Sequence, residues 1–276
     1  MLQSKSFRGQ RVLITGAAGG IGAALATQLA QRGARLFLTD LRGEALQDVA
    51  ASLGGAEVHA QACDAGDGEA IAGLAAKVTE IWGGLDILIN NAGIGHNGAI
   101  QDTPITQWEA LFRVNLLGPI RHVEAFLPMM QAAGRGHIVN ISSGQAFFRL
   151  PSWGAYACSK VALAAYSELL GLELERQSIH VTTVYPFLAD TGFYGGIDAE
   201  TSLGRWSVKL MPYYAMSPAR VARRTLQAMR VKRKVAWISP FNLFGYYMRL
   251  FPPLADAVGR VGTALLVRPR ATAGAP

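Results

Sequence analysis

The stretch Val12-Leu13-Ile14-Thr15-Gly16-Ala17-Ala18-Gly19-Gly20-Ile21-Gly22 decides the fold. Aliphatic residues come first, glycines next and helix-spaced apolar positions last, so a buried strand turns directly into a helix. Glycines at such a turn let the backbone bend tightly and approach a pyrophosphate, whose charge meets the helix N-terminus. Asp40 ends the next apolar run, 18 residues beyond Gly22. A carboxylate there accepts hydrogen bonds from ribose hydroxyls and repels a 2′-phosphate, although it would also suit a helix N-cap. Together the two features predict a dinucleotide site. NAD is preferred to NADP: Arg42 stands near Asp40, but no basic residue lies inside the glycine loop.

Outward from this turn, short apolar runs alternate with helix-period segments. Strands are predicted over 11–15, 35–39, 57–62, 85–90, 137–142, 180–185 and 235–238. Helices are predicted over 21–31, 44–53, 69–82, 107–133, 153–176 and 218–230. This alternation implies right-handed βαβ units and a largely parallel sheet covered on both faces. Residues 190–216 form a long glycine- and aromatic-containing stretch without clean periodicity, the signature of a functional loop. The expected organisation is one α/β unit over 8–240, an apolar and basic helical extension over 241–270, and a disordered tail over 271–276.

Bulk properties narrow the function classes. The 276 residues are 50% hydrophobic, enough for one large core. Met1–Gly9 lacks the apolar core of a signal peptide, which points to the cytoplasm. Two cysteines, Cys63 and Cys158, make no disulfide framework, and five scattered histidines give no metal-ligand spacing. The net charge of +7 is unevenly spread: residues 1–200 hold 13 Lys/Arg against 18 Asp/Glu, and residues 201–276 hold 13 against Asp256 alone. That tail is either a solvated surface or attracted to an anionic membrane or ligand. The chain shows no nucleic-acid-binding module, so nucleic acid is not an expected partner.

Tyr156 and Lys160 stand four apart and share a helical face. A tyrosine near its ordinary pKa is a poor base, and a neighbouring ammonium is expected to lower that pKa. Alone the pair is an ordinary helical spacing. With Ser143 thirteen residues upstream, Asn90-Asn91-Ala92-Gly93 after the fourth strand, Asn115 and Tyr156-Ala157-Cys158-Ser159-Lys160, the chain resembles the short-chain dehydrogenase/reductase family in its ordinary single-domain branch. The resemblance spans about residues 8–240. It implies a three-layer, doubly wound Rossmann fold with a mainly parallel seven-stranded sheet, followed here by the helical extension.

The resemblance also implies roles. Asn115, Ser143, Tyr156 and Lys160 would be catalytic, with Ser143 rather than Ser142 holding the substrate oxygen. Gly16, Ala18, Gly19, Gly20, Ile21, Gly22, Asp40, Asp64, Asn91, Tyr156, Lys160, Ala189 and Thr191 would bind the cofactor, Asp64 at the adenine. A homodimer or homotetramer would form on the helices holding Asn115 and Tyr156. The chain departs from the family after the sixth strand, where Pro186-Phe187 replaces Pro-Gly.

Ser143, Phe148, Trp153, Phe187 and Phe193 are the expected substrate residues, with Tyr194, Trp206, Met211, Tyr213 and Tyr214 in the lid loop. So apolar a set favours a steroid-, retinoid- or lipid-like alcohol or ketone over a sugar. A redox-inactive NAD-binding regulator on the same fold is the alternative, though it has no need of the Tyr156–Lys160 pair. In the extension, Phe241, Phe244, Met248 and Phe251, then Leu254, Val258, Val261 and Leu265, recur at helical spacing. Three uses fit those stripes: a membrane surface, a cap over the site, or a subunit contact.

Overall fold

The computed structural model describes residues 7–148, 150–187, 215–248 and 250–266. The expected contributions of Ala189, Thr191, Phe193, the lid loop and the tail after 266 lie outside these residues.

Seven strands form one sheet in the order β3-β2-β1-β4-β5-β6-β7, and every neighbouring pair is parallel. The strands are β1 (Arg11–Thr15), β2 (Arg35–Asp40), β3 (Val58–Ala62), β4 (Ile87–Asn90), β5 (Gly136–Ile141), β6 (Ile179–Tyr185) and β7 (Val235–Trp237). Unbroken apolar runs are explained by burial on both faces. Along β1, Val12 and Ile14 enter one core with Leu25 and Leu29 of α1 (Gly20–Ala30), Leu46 of α2 (Gly43–Ser52) and Leu226 of α7 (Pro218–Arg230). Leu13, between them, points the other way into a core with Leu74 of α3 (Gly68–Trp82), Phe126 of α5 (Gly118–Ala132) and Leu170 of α6 (Gly154–Glu173). The period-2 side-chain alternation of a strand thus fills two helical layers.

β1 lies between β2 and β4, so chain connections leave it in opposite directions and open a crevice above its C-terminal end. Both the glycine turn and the Asn90-Asn91 motif end at that crevice. A buried relay steadies the far wall: Asn90 Nδ2 donates to Asn140 Oδ1 (2.8 Å), and Asn140 Nδ2 to Ser167 Oγ (2.8 Å), tying β4, β5 and α6 together.

One expectation needs correction. The helix predicted over 107–133 is α4 (Ile105–Phe112), a π-helical turn at Arg113–Leu117, then α5. Helical periodicity runs through the break because only one extra residue is inserted per turn. Gly118 is required there: a Cβ would sit 2.3 Å from the Ala65 carbonyl oxygen. The extension forms α8 (Pro240–Met248) and α9 (Pro252–Leu266). Asn242, Gly245 and Met248 face inward, whereas Phe244 and Phe251 are exposed. Asn242 takes the inside, where its amide donates to the Tyr185 carbonyl at the end of β6, an oxygen that also accepts from the Ile238 amide (3.4 Å).

Candidate active site

The C-terminal ends of β1, β2, β4 and β5 surround a cavity of about 560 Å³. Gly16, Ala18, Gly19, Gly20, Ile21, Asp40, Asp64, Asn91, Ser143, Tyr156 and Lys160 line it. Asn91, Ser143, Tyr156 and Lys160, 75 to 144 positions beyond Gly16 in sequence, meet it here because the elements that carry them converge at this edge of the sheet. Gly22 lies behind the turn and Asn115 in the π turn.

The glycine turn is clamped from β4. Asn91 Nδ2 donates to the carbonyls of Thr15 (3.0 Å) and Gly16 (2.9 Å), while the Thr15 hydroxyl accepts from the Asn91 (3.0 Å) and Ala92 (2.9 Å) amides. Gly16 has φ +65°, and a Cβ on it would stand 2.7 Å from the Ala92 Cα. α1 begins from Gly19 with no side-chain cap and no acidic residue in its first turn. Its leading amides and positive dipole end therefore face the cavity, as a pyrophosphate requires. These residues fit a dinucleotide.

Asp40 is buried at the cavity edge and accepts from the Ala18 amide (3.0 Å), the Arg42 amide (3.0 Å) and Arg42 Nε (3.2 Å). It is not a helix cap, since Arg42 holds the N-cap position of α2. Asp64 accepts from the Gly66 amide (2.7 Å) and Arg113 Nη1 (2.9 Å). Burial works against its ionisation, but these two donors together hold the carboxyl below the usual carboxylate range.

Ser142 and Ser143 separate cleanly. Ser142 Oγ donates to the Lys160 carbonyl (2.9 Å) and is buried as a structural pin. The Ser143 hydroxyl instead bonds the Tyr156 phenol and accepts from the Gln145 amide (3.1 Å). The Tyr156 ring packs edge-on against Trp153 at 5.6 Å. Lys160 Nζ donates to the Ile141 carbonyl (3.0 Å) and stands 5.9 Å from the Tyr156 ring centroid.

The expected lowering of the Tyr156 pKa is not what this geometry produces. Burial pushes the phenol up to about 12, with the Ser143 hydrogen bond only partly opposing it. Burial also pushes the Lys160 ammonium down to about 8. Sequence spacing gave the lysine's proximity but not the depth at which both groups lie. At neutral pH the pair is phenol plus ammonium, the proton-donating form.

Asn115 is fully buried, and its side chain is filled by protein partners. Oδ1 accepts from the Ile94 amide (2.9 Å); Nδ2 donates to the Ile94 carbonyl (2.9 Å) and to Ser159 Oγ (3.0 Å). Ser159 Oγ in turn donates to the Tyr156 carbonyl (2.7 Å). Gly93 lets this cluster close, as a Cβ there would lie 3.1 Å from Asn115 Oδ1 and 3.3 Å from Lys160 Nζ. Asn115→Ala removes the partner of both partly buried Ile94 backbone groups and of buried Ser159, and is expected to cost about 2–4 kcal/mol, read as a lowered denaturation midpoint.

On the substrate side, Phe187 stands edge-on to Phe148 at 6.1 Å and against Gly144, where a Cβ would lie 2.8 Å from Phe187 Cδ2. Pro186, not Phe187, lines the cavity. Neither Thr15, the clamp of the turn, nor Asn242 figured among the expected site residues. Thr15 could have been found from its place just before Gly16; Asn242 had no local signal, because its partner lies 57 residues away.

A model of the short chain dehydrogenase family matches residues 10–201. The chain is 35% identical to dehydrogenase/reductase SDR family member 7B of Bos taurus over 262 residues, covering 88% of this chain and 77% of that protein. It is 31% identical to epidermal retinol dehydrogenase 2 of Mus musculus over 260 residues, covering 92% and 82%. Among solved structures, a short-chain dehydrogenase/reductase from Burkholderia phymatum in complex with NAD superposes with a TM-score of 0.81 at 27% identity, covering 89% and 94%.

Proposed function

The chain belongs to the short-chain dehydrogenase/reductase family and is a nicotinamide-dependent oxidoreductase acting on CH–OH groups; from that premise we propose that it interconverts a hydrophobic alcohol and its ketone or aldehyde, with Tyr156 as general acid and base. The observation that carries this reading is the buried Tyr156 phenol bonded to Ser143 in the wall of the same cavity that the glycine turn lines.

Bound in that cavity, the nicotinamide supplies or accepts the hydride. The protein's own part is the proton and the positioning. In reduction, Ser143 and Tyr156 hold the carbonyl oxygen, and the phenol proton passes to it as negative charge develops. Lys160, one helical turn on, stabilises the phenolate left behind. In oxidation the same proton returns from the alcohol to Tyr156. Gly16, Ala18, Gly19, Gly20, Ile21 and Gly22 would hold the pyrophosphate, Asn91 the turn beside it, and Asp64 the adenine end.

Asp40 favours NAD over NADP. Its carboxylate would bond the ribose hydroxyls and repel a 2′-phosphate, and Arg42, which also lines the cavity, has its Nε 3.2 Å from that carboxylate. Asp40→Ser is expected to weaken NAD binding by about tenfold to a hundredfold, the worth of a charge-assisted hydrogen bond, and to improve NADP binding. Fluorescence titration with both nucleotides checks this; unchanged NAD affinity would remove Asp40 from the site.

The likeness to a retinol dehydrogenase supports an apolar substrate of steroid, retinoid or lipid type, and Phe148, Trp153 and Phe187 keep their proposed substrate parts from the sequence pattern. Phe193, Ala189 and Thr191 keep their proposed parts from the sequence pattern. Residues 8–240 would form the catalytic unit and 241–270 an appendage. A homodimer or homotetramer on α6 and the helical segment that holds Asn115 is supported by Leu169 and Leu172, 60% and 55% exposed on α6. No described helix is long and apolar enough to cross a membrane, and a cytoplasmic enzyme touching a membrane at its periphery fits that fact. The test of the function is absorbance of reduced nicotinamide with NAD and a panel of apolar alcohols. Turnover supports the dehydrogenase; tight NAD binding without turnover on any member supports the redox-inactive regulator.

A further inference from the structure

Eight of the sixteen exposed large apolar side chains among the described residues fall between Leu243 and Val261. They are not on a loose strand. The inner face of α8 is fastened to the site: Asn242 Nδ2 donates to the Tyr185 carbonyl, and Gly245 lies so close to Phe148 that a Cβ would sit 3.0 Å from the Phe148 Cβ. Tyr246 packs edge-on to Phe147 (5.4 Å) and Trp237 (5.5 Å). The opposite side of α8 therefore points away from the protein, with Leu243, Phe244 and Tyr247 exposed, and Phe251 and Leu254 continue it.

α9 sharpens the point. In its first turns only Ala255, Val258 and Gly259 are even half-buried. A 15-residue helix is marginal in water unless one face is covered, and this one receives little cover from the described residues. An apolar patch of this kind marks a docking surface.

Charge selects the occupant. From Ser239 onward the chain carries Arg249, Arg260, Arg268 and Arg270 against Asp256 alone. A second copy would bring like charge to like charge. An anionic bilayer meets the arginines with headgroups and the aromatic rings with the acyl boundary, and helices of 9 and 15 residues lie in such an interface without spanning it.

We infer that α8 and α9 form a platform that seats the protein on an anionic lipid surface. The platform backs directly onto Phe147, Phe148 and the loop after Ser143, so an apolar substrate reaches the site from the lipid phase. That last clause rests on the hydrophobic-carbinol reading; the docking does not, and its test needs no turnover.

The test is flotation of the full chain with vesicles of phosphatidylcholine containing about 30% phosphatidylserine, against phosphatidylcholine alone. The protein is expected to float with the anionic vesicles, less so when salt is raised to about 0.5 M. The variant F244S/Y247S/F251S is expected to lower the bound fraction roughly tenfold or more while keeping its melting midpoint and NAD affinity. If that variant fails to fold, Phe251→Asp, at a position 64% exposed, gives the same reading. The inference is overturned if the wild type stays in solution with both vesicles, or if the variants float unchanged. It is equally overturned if the wild type is an oligomer that the substitutions dissociate, because the patch then belongs to a second copy.

Discussion

Tyr156→Phe is expected to reduce turnover in both directions by about a thousandfold or more while leaving the nicotinamide cofactor bound, within the range that general acid–base catalysis contributes. The substitution removes one oxygen and keeps the ring. Edge-on packing with Trp153 at 5.6 Å survives, and with it the start of α6 and the placement of Lys160. What disappears is the phenol that Ser143 bonds in the cavity wall. Steady-state kinetics read the loss and fluorescence titration reads the retained binding. A variant that kept a tenth of wild-type activity would move the proton to another group.

The same pair sets the pH dependence. Tyr156, pushed up to about 12, keeps its proton through neutral and mildly alkaline solution, so the donor for reduction is present throughout. Lys160, pushed down to about 8, loses its charge above that pH and with it the stabilisation of the departing phenolate. Ketone reduction is therefore expected to be flat below about pH 8 and to fall above it, whereas alcohol oxidation, which needs the phenolate, rises with pH. The sign for stability is separate. The folded state holds the Lys160 proton less tightly than the unfolded chain, whose lysine titrates near 10.5, so this residue's contribution improves as pH rises from about 8 toward that value.

The second large effect is structural. Gly22→Ala places a Cβ 2.2 Å from the Gly16 carbonyl oxygen and 2.8 Å from the Ala17 Cα. Both are backbone atoms, so no rotamer relieves the clash and the turn itself must move. A stability loss of about 1–3 kcal/mol is expected from the overpacking. Cofactor affinity is expected to fall by about a hundredfold, because the displaced turn no longer aims the leading amides of α1 into the cavity. Gly73→Ala is the control. It sits on α3 with open space around its Cβ direction and should gain up to about 1 kcal/mol from helix propensity. Calorimetry and nucleotide titration separate the two. If Gly22→Ala binds NAD as the wild type does, the turn is not the pyrophosphate site.

Local signals in the chain carried most of the framework. The strand at 11–15 and the helix at 218–230 stand where periodicity put them, since each is bounded by its own breakers: glycines after the first, Ser217-Pro218 before the second. The placement of Tyr156, Lys160, Ser143 and Asp40 around one cavity follows from strand order, which alternation of strands and helices already implied. Features that depend on distant partners were not legible. The π turn at Arg113–Leu117 answers Ile94 and Ser159, far away in sequence. The inward face of α8 follows the Asn242 bond to a carbonyl on β6 rather than hydrophobic spacing. The upward shift of Tyr156 arises from burial, a property of the assembled walls that an i, i+4 spacing cannot express.

Label transfer tests the central claim most directly. The protein is incubated with NADH carrying deuterium at both C4 positions and a set of apolar ketones, and the products are analysed by mass spectrometry. The account predicts an alcohol one mass unit heavier, labelled at the carbinol carbon, from the wild type and none from Tyr156→Phe. Tight binding of the nucleotide with no label in any product would contradict it and leave a nucleotide-binding protein without redox chemistry.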